Sequence, residues 1–345
     1  MRKIGLAAIQ VRISPSLYRE EETFFEAMGR LCMLAAAALP DDVPRLFCFP
    51  EAVGLPLLFL PGEYDWAQHE CSLAAVAVKG ALHHASQWLK ALHLSRYHLL
   101  RSFYLRSALS AWNIYTRTFS TLARRHEAYI SAGSGYFPLI EQESAQGTYV
   151  ADPHLYNISC LFNPQGTLVS RTIKLRLTAA EVKAGFSAGP RWALQPAQTT
   201  LGRVGTLICY DAFHHSLVAQ MDALGTQILL QPSFNTERWN APWWANPART
   251  QAEEWIQDGL PALVQGRENI RYGVNAMMVG QLFELQVEGR SSIVGTAAHH
   301  SQQAYGVKGF VALAQMADQE EIVAAVVARP SDFDKCGCIE VSKLD

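Results

Sequence analysis

The sequence predicts an α/β fold built on mixed β-sheet, and three observations carry the prediction. Short apolar runs alternate with stretches of helical periodicity along the whole chain, the pattern of an α/β domain. Tyr156 to Phe162 and Thr167 to Ile173 flank Asn163-Pro164-Gln165-Gly166, a turn that folds two strands into a hairpin, so the sheet is not purely parallel. With 345 residues, 49% of them hydrophobic, the chain can bury a full core. It reads as one domain over 1–345, since no internal repeat and no low-complexity tract divides it.

Residues 3 to 9 read as a first strand and Glu20 to Leu39 as a helix. Arg45 to Phe49 is a buried strand closed by Pro50, and Tyr129 to Ser131 is another, running into Ala132-Gly133-Ser134-Gly135. After the hairpin, Val204 to Ile208 suits a buried strand, while His215, Leu217, Val218, Met221 and Leu224 recur at helical spacing. A strand over Gln227 to Gln231 precedes a polar, Trp-rich loop from Pro232 to Asn246, and a helix then runs to about Asn269. Strands at Tyr272 to Val279, Ser291 to Val294 and Ile322 to Val327 close the series.

The net charge of -2 leaves no surplus of Lys and Arg for phosphate contacts, which argues against a nucleic-acid partner. The apolar run near Met1 is too brief for a signal h-region, and nothing approaches the ~18 uninterrupted apolar residues of a membrane span. Seven cysteines, scattered and odd in number, do not form a disulfide framework and point to the reducing cytoplasm. Cys336-Gly337-Cys338 is too tight for zinc-knuckle spacing and has no second pair. No metal and no cofactor is expected.

The chemistry concentrates at three strand ends, where α/β proteins place reactive groups. Cys209 ends the apolar run Val204 to Ile208 at a strand-to-helix elbow, where a helix dipole would lower the thiol pKa; the alternative is a packed thiol. Glu51 stands where the strand Leu46-Phe47-Cys48-Phe49 emerges, and Lys174 ends Arg171-Thr172-Ile173. Together they suit cleavage of an amide-like bond. Glu51 takes the thiol proton, Cys209 attacks the carbonyl or nitrile carbon, and Lys174 stabilises the oxyanion, with the Tyr210 backbone N–H as a second donor. His214 and His215 lie about a turn beyond the thiol; His214 reads as a pocket or subunit-contact residue, and as the base of a cysteine-protease-like rival. Trp239, with Trp243 and Trp244, is read either as a substrate-pocket wall or as loop packing. Arg267-Glu268-Asn269 reads as a structural tie from a helix end to the next strand.

In this order, the first strand ending in Gln10, Phe49-Pro50-Glu51, Ala132-Gly133-Ser134, Tyr156-Asn157, Lys174, Cys209 and Gln231-Pro232-Ser233 resemble the nitrilase superfamily of carbon–nitrogen hydrolases. The resemblance continues through Arg267-Glu268-Asn269, Gly289 to Ser292 and Glu320-Glu321-Ile322, so that it covers most of the chain. It implies a four-layer αββα sandwich, a Glu51-Lys174-Cys209 triad, and a homodimer or higher oligomer joined through helices near the Cys209 elbow. It also implies a role for Glu181, seven positions past Lys174, in orienting the lysine and substrate; the local reading is a Thr178–Glu181 capping box, and both roles are compatible. The implied activity is hydrolysis of a small-molecule amide or N-carbamoyl amine through a Cys thioester, with nitrile hydrolysis or acyl transfer as alternatives. Cys209-Tyr210-Asp211 lacks the tryptophan and glutamate of true nitrilases, which favours amidase or carbamoylase. The paired histidines are similar to those of ureidopropionase-like members, but Ala212 and Phe213 stand where an arginine is usual. A catalytically silent binding protein on the same scaffold would have lost one of the triad residues, and all three are present.

One region departs from that pattern. Glu51 and Lys174 are 123 positions apart, on the order of fifty more than is usual in the family, as an insertion between conserved elements would give. The surplus is helical, spans about 66–126, and from Cys71 to His126 carries eight Lys and Arg with no Asp or Glu, leaving 21 basic against 31 acidic residues elsewhere. Trp88, Leu92, Leu99 and Phe103 share one helix face, and Lys90, Tyr97 and Arg101 the other. The segment reads as a cap over the sandwich or site mouth, as an attractor of anionic substrate, or, least favoured, as a peripheral membrane contact through Trp88, Tyr104 and Trp112.

Overall fold

The computed structural model describes residues 2–95, 99–143 and 147–330. The chain begins with β1 (Lys3–Ile13), α1 (Glu21–Ala37) and β2 (Arg45–Cys48). Five helices follow: α2 (Tyr64–Ala67), α3 (Leu73–His83), α4 (Ala85–Leu94), α5 (Leu99–Leu105) and α6 (Ala108–Arg125). Next come β3 (Ala128–Ser131), β4 (Gly135–Glu143), β5 (Gly147–Phe162), β6 (Leu168–Ile173), α7 (Ala179–Lys183), β7 (Phe186–Ser187) and β8 (Ala197–Thr199). β9 (Gly202–Thr206), α8 (His215–Ala223) and β10 (Ile228–Ser233) lead to a small ribbon, β11 (Pro242–Trp243) with β12 (Asn246–Thr250), and to α9 (Gln251–Gln257) and α10 (Leu260–Leu263). The last strands are β13 (Tyr272–Leu282), β14 (Leu285–Val287), β15 (Ser292–Gly295), β16 (Gln302–Ala304), β17 (Val307–Leu313) and β18 (Glu321–Ala328).

The strands form one curled sheet with two halves. In the first, β1, β2 and β3 are parallel, β18 runs antiparallel to β1, and β5 pairs antiparallel with β3, β4 and β6. In the second, β9, β10 and β13 are parallel, and β15 and β17 extend them antiparallel. The end of β1 joins the halves, with Val11 to Ile13 paired to Met278 to Gly280.

Side-chain alternation then sorts the core into three layers. Ile4, Leu6 and Ala8 of β1 pack with Leu46 and Tyr129, and against Val204, Leu230 and Val274 of the other half, so the halves face each other. Ala7, Ile9 and Phe47 point the opposite way, onto Phe24, Met28 and Leu31 of α1 and Tyr115, Phe119 and Leu122 of α6. On the far side, Leu229, Met277 and Val294 meet Leu217, Val218 and Met221 of α8 and Leu260 of α10. This is the αββα sandwich that the resemblance implied. Burial on both faces explains why β1 reads as a continuous apolar run.

Four expectations need correction. β1 continues to Ile13, because its end serves as the joint with β13. The helix expected to about Asn269 is the pair α9 and α10, separated at Asp258-Gly259, and it stops at Leu263. The Trp-rich loop contains the β11–β12 ribbon. The segment expected as one surplus piece divides in two. α6 buries Ala111, Trp112, Tyr115, Phe119 and Leu122 at helical spacing and is a layer of the sandwich, whereas α2 to α5 lie above it. Trp112, 8% exposed and edge-on to Phe137, is therefore a core residue and not a membrane anchor. Tyr97 lies outside the described residues, as do Arg96 and the Cys336–Cys338 pair. No helix among the described residues is long and apolar enough to cross a membrane.

Candidate active site

Glu51, Lys174 and Cys209 come together, and the backbone explains how. Glu51 sits in a tight loop after β2, where Phe49 N–H donates to Ser131 O, Ala52 N–H to Ser134 Oγ (3.1 Å) and Gly54 N–H to Ser134 O. Gly133 is required in this arrangement: its φ is +67°, and a Cβ there would lie 2.0 Å from Pro50 O. The Ala132-Gly133-Ser134 motif thus braces the glutamate loop. Lys174 follows β6, with its N–H on Asn157 O (2.9 Å) and its C=O accepting from Gly189 N–H (2.8 Å). Cys209 follows β9 at φ +48°, a strained conformation for a side-chain-bearing residue. Its carbonyl is held by Gln231 Nε2 at 3.0 Å, and Gln231 Oε1 by Asn275 Nδ2 at 2.8 Å.

The charged side chains form a closed network. Lys174 Nζ donates to Glu51 Oε1 (2.7 Å) and to both oxygens of Glu181 (3.0 and 2.9 Å). Asn157 Nδ2 donates to Glu51 Oε1 (2.7 Å) and Glu181 Oε1 (3.1 Å), and Tyr136 Oη donates to Glu181 Oε1 (3.1 Å). Glu181 also completes the capping box of α7, accepting the Thr178 N–H at 2.8 Å, so its local and its site roles coexist. The Cys209 thiol lies beside Glu51 and donates to Phe234 O at 3.7 Å.

Electrostatics follow from burial. Glu51 is raised above the ordinary carboxylate range by desolvation, which the Lys174 charge only partly offsets. Burial opposes ionisation of Glu181 too, but Lys174 and the Thr178 N–H outweigh it and hold this carboxyl low. Lys174 loses solvation, yet Glu51, Cys209 and Glu181 keep it charged well above the usual lysine range. Burial, then the Glu51 charge, push the Cys209 thiol up. This overturns the expected dipole-lowered thiol. Cys209 opens a short 3-10 turn through Phe213, and α8 begins only at His215, so the thiol does not sit at a helix N-terminus. Burial thus favours the protonated thiol, beside a carboxyl more basic than an ordinary one.

The remaining candidates are distributed differently. Tyr210 is 42% exposed, and its backbone follows the thiol directly. His214 packs edge-on against Tyr210 at 4.9 Å and is shifted toward neutrality by burial and by Arg176, whereas the titratable groups acting on the thiol are Glu51 and Lys174. Trp239 is buried in the same apolar cluster as Cys209, near Trp255, while Trp244 is exposed and Trp243 lies under Arg249. Asn269 and its neighbours Glu268 and Ile270 donate backbone N–H groups to Asp222 at the end of α8. Sequence reasoning gave no role to Asn157, Tyr136 or Asp211. Asn157 had a signal, since it stood in the Tyr156-Asn157 motif; Tyr136 had none. No group of three or more His, Cys, Asp or Glu that could hold a metal ion occurs among the described residues.

Comparison with known proteins gives a consistent picture. The carbon-nitrogen hydrolase family model matches residues 6–295. A deaminated glutathione amidase of Yersinia enterocolitica is 29% identical over 141 residues, covering 39% of this chain and 46% of the relative. A probable hydrolase, nit2, of Schizosaccharomyces pombe is 30% identical over 106 residues, covering 28% and 38%. The aligned stretches thus span less than half the length of these curated relatives. Among solved structures, a carbon-nitrogen hydrolase from Helicobacter pylori superposes with TM-score 0.59 at 16% identity, covering 97% of this chain and 91% of that one. A double mutant of the amidase from Nesterenkonia sp. AN1, in complex with acrylamide, superposes with TM-score 0.55 at 14% identity, covering 99% and 95%.

Proposed function

Because this chain belongs to the carbon–nitrogen hydrolase family of the nitrilase superfamily, we propose that it hydrolyses an amide or N-carbamoyl amine of a small molecule through a Cys209 thioester. The observation that carries the reading is the buried network in which Lys174 Nζ bonds Glu51 at 2.7 Å and Glu181 at 2.9 Å, with the Cys209 thiol beside Glu51. In the reaction, Glu51 removes the thiol proton as sulfur attacks the carbonyl carbon. The oxyanion forms against the Lys174 ammonium and the Tyr210 N–H. Collapse breaks the carbon–nitrogen bond, and Glu51 returns the proton to the departing amine. Water, deprotonated by Glu51, then attacks the thioester and restores the thiol. The raised pKa of Glu51 suits a group that must both take and give this proton near neutrality.

Amides are favoured over nitriles by the Cys209-Tyr210-Asp211 elbow and by the names of two relatives, a deaminated glutathione amidase and an amidase crystallised with acrylamide. Nitrile hydrolysis and acyl transfer use the same acyl-enzyme and remain the second reading. A homodimer in the cytoplasm, its subunits joined near the Cys209 elbow, belongs to the same proposal. The test is ammonia release from a panel of small amides, carbamoyl amines and nitriles, run on the wild-type protein and on Cys209→Ala. We expect turnover of an amide or carbamoyl amine that falls by about 10⁴-fold or more in Cys209→Ala, with the folded state retained. Full activity of Cys209→Ala would refute the mechanism, and turnover of nitriles alone would refute the substrate class.

A further inference from the structure

Nucleophile and oxyanion cation come from different halves of the sheet: Lys174 follows β6 in the first half, Cys209 follows β9 in the second. One side chain ties the two together. Asp211, two residues past the thiol and fully buried, accepts the Leu175 N–H with both carboxylate oxygens (3.2 Å each) and the Arg176 N–H with Oδ1 (2.7 Å). These are the two peptide groups immediately after Lys174, where β6 has ended. On its own turn, Asp211 N–H donates to Ile208 O (3.0 Å) and Asp211 O accepts from His214 N–H (3.1 Å), closing the 3-10 turn that carries Cys209.

We propose that Asp211 is a positioning residue that fixes the separation between the Cys209 thiol and the Lys174 ammonium across the two halves of the sheet. The inference rests on the function proposed above and deepens it. A carboxylate shared by two N–H groups makes a charge-assisted tie, stronger than a neutral one. Burial raises Asp211 to about 7; the N–H bonds and Lys174 from β6 favour its ionised form, and Glu51 from the loop after β2 opposes it. The tie therefore tightens as pH rises through neutrality, and the lysine that favours the thiolate is held more firmly above that point.

Carbamidomethylation by iodoacetamide, followed at Cys209 by peptide mass spectrometry, reads this positioning without any knowledge of the substrate. Exposed Cys71 is the internal control for ordinary thiol reactivity. Asp211→Asn keeps Oδ1, which alone reaches both N–H groups, and should label Cys209 within about threefold of wild type at pH 6, whereas Asp211→Leu, with no acceptor, should label at least about tenfold more slowly. Cys71 should be unchanged in both. The ratio of wild-type to Asp211→Asn rates at Cys209 should climb as pH rises through about 7. A wild-type rate in Asp211→Leu overturns the proposal. If that variant does not fold, the pH series decides, and a flat ratio overturns it. Cys209 labelling that does not fall in Glu51→Gln would instead defeat the Glu51 activation on which the proposal depends, and the proposal with it.

Discussion

The buried network around Lys174 and the helices α2 to α5 both bring charge into an apolar protein, but they handle that charge in opposite ways. At the centre, Glu51, Lys174 and Glu181 are at most 6% exposed, and Lys174 Nζ is bonded to Glu51 Oε1 and to both oxygens of Glu181. In the helices the positive charges are met by acids from outside the acid-free stretch: half-exposed Lys79 by Glu70, buried Arg106 by Glu63 at 4.0 Å, and exposed Arg117 of α6 by Glu21. These pairings reduce the net field that an anionic substrate or membrane would meet. Buried charge is costly unless compensated, so the centre is rigid by necessity, while exposed pairs such as Arg117–Glu21 contribute little and constrain little.

The sharpest way to break this contrast is to remove one charge from the centre. Lys174→Met keeps the stem and deletes the ammonium, leaving two carboxylates buried against each other. We expect kcat to fall by about 10²–10³-fold. We also expect urea unfolding to show a loss of about 3–5 kcal/mol, the usual cost of removing one partner from a buried ionic group. Loss of activity with unchanged stability would mean that the network is looser than its distances indicate.

A smaller effect should come from Glu181→Gln, which retains the capping-box geometry and removes only charge. Because the folded-state pKa of Glu181 is depressed below its ordinary value of 4.5, its charge stabilises the fold above that pH, and the contribution is lost as pH falls through the depressed value. Thermal unfolding of the wild-type protein should therefore be more acid-sensitive below about pH 4.5 than that of the variant. Parallel pH profiles would show that Lys174 does not hold this carboxylate.

The two regions were unequally legible in the sequence. Glu51, Lys174 and Cys209 could be found because acid–base and nucleophilic chemistry demand particular residue types at strand ends, and apolar runs stopping at Pro50, Lys174 and Cys209 mark such ends. Asp211 and Tyr136 were not legible, because what defines them is a partner brought near by the fold: Leu175 and Arg176 for one, Glu181 for the other. The raised Cys209 pKa was missed for a local reason, since the periodicity of Leu217, Val218 and Met221 marks a helix but does not say that a five-residue 3-10 turn precedes it. In the helical segment, periodicity revealed helices without revealing what they cover. Trp112 and Phe119 of α6 belong to the core, while Val78, Leu82 and Leu89 of α3 and α4, equally apolar, face outward.

That outward face yields the smallest expected effect. Leu82 is 73% exposed and Leu89 58%, and together with Val78 and Trp88 they line an apolar groove between α3 and α4. Phe103, which also lines this groove, stacks with Phe59 at 6.4 Å and touches Tyr104 at 5.3 Å, and Tyr104 meets Phe186, which stacks on Tyr136 at 4.1 Å. Leu82 and Leu89 stand on the exposed rim of the groove, at the far end of this chain of rings from Tyr136 and Glu181. The double variant Leu82→Ser, Leu89→Ser should change unfolding free energy by no more than about 0.5 kcal/mol per site, as surface substitutions do. Its kcat and KM on any amide the wild type cleaves should be unchanged. A loss of activity in this variant would mean that the outer groove communicates with the catalytic centre, and the separation between a rigid buried network and a loosely coupled helical cap would fail.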